Sequence, residues 1–271
     1  MTLSSKLASP DTPPSSSFPA TSGPLRKTLW VARQGNPSGG SFAFVLAGYG
    51  DAWPTHELAR GFRPERTVYA LQPPHSFTRG ASATLSSLTE EYVRCLRERQ
   101  PSGPYCVGGY SAGGPMALEI ARQLRAQGEE MRLVALLDPL FAHYRALATL
   151  GYRAMKRAIQ AIDPLAKGRR IRVLRILDAM VRDEGLETHL KLLEGHRPEP
   201  YPGEVVLFQT RTSFLLRPPG VIAQWRRIAA GGLRVRYAPG THHSFMRPPH
   251  VLELARLLDA HMGEAGQPAR A

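Results

Sequence analysis

The sequence has little cysteine, no long apolar run and a shortage of acid. Cys95 and Cys106 are the only cysteines among 271 residues, too few for a disulfide-stapled secreted scaffold. No apolar stretch approaches the roughly 18–20 residues of a membrane-spanning helix. Residues 1–24 contain no continuous apolar stretch of about 7–15 residues, which a secretory signal needs. Lys6 is their only base, so the arginine-rich amphipathic pattern of a transit peptide is missing too. The expected compartment is therefore the cytoplasm. The acid shortage is 22 Asp+Glu against 35 Lys+Arg, a net charge of +13. With 42% hydrophobic side chains such a charge does not mean disorder. It leaves open a nucleic-acid partner, an acidic protein partner, or an arginine-rich composition.

What is present reads as one α/β domain over residues 27–263, between a disordered Ser/Thr/Pro-rich arm (1–26) and a flexible tail (264–271). Strands are expected at 27–33, 41–47, 67–71, 105–109, 133–137, 205–209 and 233–238. Helices are expected at 84–99, 115–127 (stopped by Gly128) and 251–262. Strand and helix alternate, which predicts a mostly parallel sheet with helices on both faces. Residues 140–200 break the alternation with two or three helical segments, among them 174–181 and 188–193. An all-helical insertion between two strands of an open sheet predicts a lid.

The most informative string is Gly109-Tyr110-Ser111-Ala112-Gly113, a G-x-S-x-G sequence between an expected strand and an expected helix. Such a turn holds the serine in a strained backbone and lifts its oxygen above the sheet, while the glycines let neighbouring backbone approach. The helix N-terminus behind it adds partial positive charge where an oxyanion would form. In this fold the base follows the last strand, which points to the loop carrying His242 and His243, with His250 at the start of the terminal helix. His56, His75, His143, His189, His196 and His261 precede that loop or face solvent, and surface roles are expected for them. The orienting acid comes by elimination. The residues after strand 205–209 carry no carboxylate, whereas strand 133–137 runs into Asp138, 27 residues after the serine.

These residues resemble the thioesterase domains of polyketide and nonribosomal peptide synthases, within the α/β-hydrolase superfamily. The likeness covers residues 40–262 and is most specific from Leu88 to Pro139. The resemblance implies an α/β-hydrolase fold with a helical lid and a Ser111–His242–Asp138 triad, since the family's G-x-H motif falls on Gly240-Thr241-His242. It also implies an oxyanion hole formed by the N–H groups of Ala112 and Ala47, in a turn lacking the family's usual His-Pro. The implied activity is release of an acyl, polyketide or peptidyl chain from a carrier-protein phosphopantetheine thioester, by hydrolysis or cyclisation, with no bound cofactor and no metal. The implied partner is an acyl or peptidyl carrier protein. No nucleic-acid or membrane partner is expected. A carboxylesterase or lipase using the same triad, and a non-catalytic basic binding protein, are the competing readings. No carrier domain is apparent before residue 27, so either a free-standing enzyme or an excised synthase domain is expected. Between residues 145 and 197 twelve bases, including Arg169, Arg170 and Arg172, face six acids. That excess reads either as solvated helix faces of an arginine-rich composition or as a lid surface that docks an acidic carrier protein and its phosphate-bearing arm.

Overall fold

The computed structural model describes residues 28–46, 53–74, 84–139, 192–193, 196–212, 220–242 and 244–264. Seven strands form one sheet: β1 (Leu29–Arg33), β2 (Ser41–Val45), β3 (Thr67–Leu71), β4 (Tyr105–Tyr110), β5 (Met131–Leu137), β6 (Val205–Thr210) and β7 (Leu233–Ala238). Their order across the sheet is β1-β3-β2-β4-β5-β6-β7. Only β1 is antiparallel to its neighbour; the other pairings are parallel. β4 therefore sits at the centre of the sheet, and the strand ends that follow it in the chain all open at one edge.

Among the described residues five helices cover the sheet: α1 (Trp53–Gly61), α2 (Leu85–Arg99), α3 (Gly113–Ala126), α4 (Val221–Ile228) and α5 (His250–Glu264). The two-residue period of a strand decides which core each residue joins. On β5, Leu133, Ala135 and Leu137 pack with α1 and α5, while Val134 and Leu136 pack with α3 and α4. The same alternation on β4 sends Cys106 to the α1/α5 side and Tyr105 and Val107 to the α2/α3 side. Both faces are thus covered, as a parallel sheet requires. Trp225 of α4, 1% exposed, anchors one flank, and its truncation to Ala would cost about 3–5 kcal/mol.

Local chemistry sets the helix ends. Thr84 caps α2, its side chain accepting from the Ser87 N–H at 3.1 Å in a reciprocal capping box, satisfying donors that the first turn leaves open. α3 ends before Gly128, whose φ of +84° is a conformation that glycine takes without strain. The α1/α5 side carries a buried charge cluster. Asp259 on α5 receives Arg66 Nε at 2.5 Å and Arg63 Nε at 2.6 Å, fastening α5 to the loop before β3.

The α/β expectation holds, with each expected strand found within a few residues of its place. Two helices went unread: α1 and α4. Both are short, and α1 buries the polar Thr55 and Glu57, which blurs its periodicity. The signals were Pro54 in the first turn of α1 and the i, i+4 pair Val221–Trp225 on α4. His261 does not face solvent. It is buried on α5, donates from Nδ1 to Leu257 O at 2.7 Å and meets Phe208 edge-on. The expected arm at 1–26, most of the lid at 140–200, and 265–271 of the tail lie outside the described residues. α5 itself runs to Glu264.

Candidate active site

The site is built where β4 turns into α3. Gly108 and Gly109 lie just before the last residue of the strand, and neither tolerates a side chain. A Cβ on Gly108 would lie 2.5 Å from the Phe42 ring, and one on Gly109 would lie 2.0 Å from the Gly113 carbonyl oxygen. Gly113, on the other side of the serine, packs against Val45, where a Cβ would fall 2.5 Å from the carbonyl oxygen. Each separation is shorter than any tolerable carbon contact, so these glycines are what let strand, turn and helix close on one another. Ser111 is left with φ of +56°. Its N–H donates to Leu137 O at 3.0 Å and its carbonyl accepts from Gly114 N–H at 3.1 Å, which holds the strained residue in place.

One strand over, the same backbone anomaly recurs. Asp138, at the tip of β5, has φ of +45°, and its N–H donates to Phe208 O of β6 at 2.7 Å. Ser111 and Asp138 are the only non-glycine residues with positive φ among those described. Strained backbone of this kind persists only where surrounding structure imposes it, and it concentrates at functional sites. Asp138 is fully buried.

The third residue comes from the loop after β7. Gly240, with φ of +90°, turns the chain there, and a Cβ on it would strike both Ser244 Oγ and the His250 ring. Thr241 and Ser244 close the loop: Thr241 N–H donates to Ser244 Oγ at 2.8 Å, and Ser244 N–H to Thr241 Oγ1 at 3.3 Å. Phe245 and Met246 then bury in the α1/α5 core. So anchored, His242 reaches both partners. Its Nδ1 lies 2.7 Å from Asp138 Oδ2 and its Nε2 lies 3.2 Å from Ser111 Oγ. An ionised carboxylate can only accept, so Nδ1 carries the proton, and Nε2 is free to accept from the serine hydroxyl. The imidazole is 26% exposed while the carboxylate is sealed, leaving the reacting end of the relay open.

The structure therefore brings together Ser111, His242 and Asp138. Ala112 is fully buried at the N-terminus of α3. Among the described residues no backbone acceptor takes its N–H. Ala47 and His243 lie outside the described residues, as do His75, His143 and His189. So do eleven of the twelve lid bases counted above, Arg169, Arg170 and Arg172 among them; Arg197 is described and exposed. Of the lid segment, Leu192 and Leu193 join the α2/α3 core, to which Ala112 and Met116 also belong. Among the described residues no group of three or more His, Cys, Asp or Glu could hold a metal ion, and no helix is long and apolar enough to cross a membrane. Sequence reasoning did not single out Tyr110, whose ring stacks on His242; its place beside Ser111 was visible, its contact across to residue 242 was not.

A parallel sheet flanked by helices, with a serine at its central strand-to-helix turn, defines an α/β-hydrolase. Within that class, a family profile described as "Thioesterase domain" matches residues 47–261, and the chain belongs to that family. Among curated proteins it is similar to microperfuranone synthase of Emericella nidulans, 37% identical over 123 residues, 42% of this chain and 12% of that protein. It is also similar to enterobactin synthase component F of Escherichia coli K12, 37% identical over 114 residues, 41% of this chain and 9% of that protein. The chain thus matches only about a tenth of the length of these two relatives. Among solved structures it resembles the NocB thioesterase domain in covalent complex with a fluorophosphonate nocardicin G analogue. The TM-score is 0.65 at 26% identity, covering 88% of this chain and 100% of that one. The RedJ thioesterase of Streptomyces coelicolor shares the fold at a TM-score of 0.58 and 19% identity, covering 82% of this chain and 86% of that one.

Proposed function

We propose that this chain is a serine thioesterase that releases an acyl, polyketide or peptidyl chain from a phosphopantetheine arm on a carrier protein. The observation that carries the reading is the hydrogen-bonded series Ser111–His242–Asp138 in a chain of the thioesterase domain family. The relatives being synthases supports a carrier-bound substrate, and the fluorophosphonate complex of NocB supports a nucleophilic serine at the elbow. A cytoplasmic setting suits a carrier-bound substrate.

The chemistry follows from the proton inventory. As Ser111 Oγ attacks the thioester carbonyl, its proton passes to His242 Nε2. Asp138, already accepting from Nδ1, keeps the tautomer that makes this possible and stabilises the imidazolium without taking the proton. The carbonyl oxygen becomes an oxyanion, for which the Ala112 N–H at the positive end of α3 is a donor; the N–H of Ala47, after β2, would supply the second. When the C–S bond breaks, the Nε2 proton goes to the departing thiolate, leaving the acyl group on Oγ. A water molecule, or a hydroxyl or amine of the acyl chain, then gives its proton to His242 and takes the acyl group, and Oγ recovers the proton. Release is hydrolytic in the first case and cyclising in the second.

The test is side-by-side turnover of an acyl-pantetheine thioester and the matched oxyester, with the released acyl product as the common readout and liberated thiol as a second readout for the thioester. Faster thioester turnover, lost in Ser111→Ala, supports the reading. Faster oxyester turnover would place the site with carboxylesterases, and thiol release persisting in Ser111→Ala would remove the serine mechanism.

A further inference from the structure

Tyr110 is the last residue of β4, next to Ser111, and the proposed reaction gives it no task. Its side chain nonetheless meets His242 twice. The phenol hydroxyl donates a short hydrogen bond to the His242 carbonyl oxygen. The phenol ring lies along the imidazole, centroids 4.9 Å apart and planes inclined by 28°, with Phe245 at 6.3 Å. These contacts do what the triad's own hydrogen bonds cannot. Asp138 and Ser111 bond to His242 at its two nitrogens, in the plane of the ring, and resist tipping out of that plane only weakly. A ring laid on the imidazole face blocks that tipping, and the bond to residue 242's backbone fixes the loop from which the imidazole hangs.

We propose that Tyr110 is a positioning residue for His242, holding the imidazole face and its backbone from the same strand end that presents Ser111. Nucleophile and base are then referenced to one rigid element, the centre of the sheet, although 131 residues separate them in the chain. The aromatic face also suits the imidazolium that forms when the serine loses its proton. Burial and the nearby Asp138 charge push the phenol's pKa well up, so the hydroxyl remains a donor wherever the enzyme would work.

This inference rests on reading Ser111 and His242 as nucleophile and base, and the experiment separates the two. Tyr110→Phe, Tyr110→Leu, His242→Ala and the double variant His242→Ala/Tyr110→Leu are compared with the parent. The readouts are kcat and KM for an acyl-pantetheine thioester and the rate of Ser111 labelling by an alkyl fluorophosphonate. Tyr110→Phe should lower kcat about fivefold, the worth of one hydrogen bond. Tyr110→Leu should lower it more, with KM within about twofold, and labelling should slow in parallel. In the His242→Ala background Tyr110→Leu should change labelling by less than about twofold, because Tyr110 acts through His242. Parental kcat in Tyr110→Phe and Tyr110→Leu, or an equal loss with and without His242, overturns the positioning role while Ser111 still takes the label. Absence of label on Ser111 in the parent overturns the serine reading itself. Should the Leu variant not fold, Tyr110→Phe, which keeps the ring, decides through kcat alone.

Discussion

The C-terminal ends of β5 and β6 lie side by side, joined by the bond from Asp138 N–H to Phe208 O, yet they are furnished differently. β5 ends in a carboxylate held in a left-handed backbone and bonded to His242. β6 ends in Gln209 and Thr210, both buried and neither acidic. The difference teaches that the sheet edge provides the place and the residue at the tip provides the chemistry. In the proposed triad β5 supplies the acid, while the end of β6 carries the buried, uncharged Gln209 and Thr210.

The comparison can be broken or sharpened by substitution. The largest effect is expected from Ser111→Ala, which should reduce thioester turnover by at least about 10³-fold while the melting temperature stays near that of the parent. Next, Asp138→Asn should cost about 10³–10⁴-fold in kcat, because an amide at that point can favour the wrong imidazole tautomer; steady-state kinetics with unchanged circular dichroism would isolate the chemical loss. Moving the carboxylate should not help. Gln209 is 1% exposed and shares the strand face of Leu207, which packs toward α4, so a Glu there would face away from the His242 loop, which Phe245 and Met246 anchor in the α1/α5 core. Asp138→Asn/Gln209→Glu should regain no activity, and Gln209→Glu alone should lose about 2–4 kcal/mol on denaturant unfolding from a buried unpaired acid. Recovery of turnover in the double variant would show that the end of β6 is an equivalent acid position.

The smallest effect is one of pH on stability. Burial pushes the Cys106 thiol up to about 12 from a model-compound value of 9.0 and raises the Tyr201 phenol above 10.0. The unfolded chain releases these protons at lower pH than the folded one. Their contribution is therefore complete below about pH 9 and is lost as pH rises toward the folded values. The melting temperature should decline above about pH 9, and Cys106→Ala should flatten part of that decline.

Much of this was legible in the chain because the controlling chemistry is local. The Gly109-Tyr-Ser-Ala-Gly113 turn declares itself through residue size, and the buried strands through continuous apolar runs. Gly128 and Gly240 mark their turns by needing positive φ. Asp138 was found by comparing two strand ends in the sequence. What escaped depends on contacts that sequence distance hides. α1 buries polar Thr55 and Glu57 and shares a core with α5 far along the chain, His261 is covered by Phe208, and Tyr110 touches His242 across 132 residues. The choice of His242 over His243 rested on a resemblance, and the loop that carries His242 explains its reach in physical terms through Gly240, the Thr241–Ser244 closure and the buried Phe245.

The central claim is that Ser111 carries the acyl chain between two half-reactions. The most direct measurement is peptide mass spectrometry of the protein quenched in acid after brief exposure to an acyl-pantetheine thioester. The account predicts a mass increase equal to the acyl group, confined to the peptide containing Ser111 and enriched in Asp138→Asn if deacylation slows more than acylation. Turnover with no acyl adduct on that peptide under single-turnover sampling, or an adduct on any other residue, would contradict it.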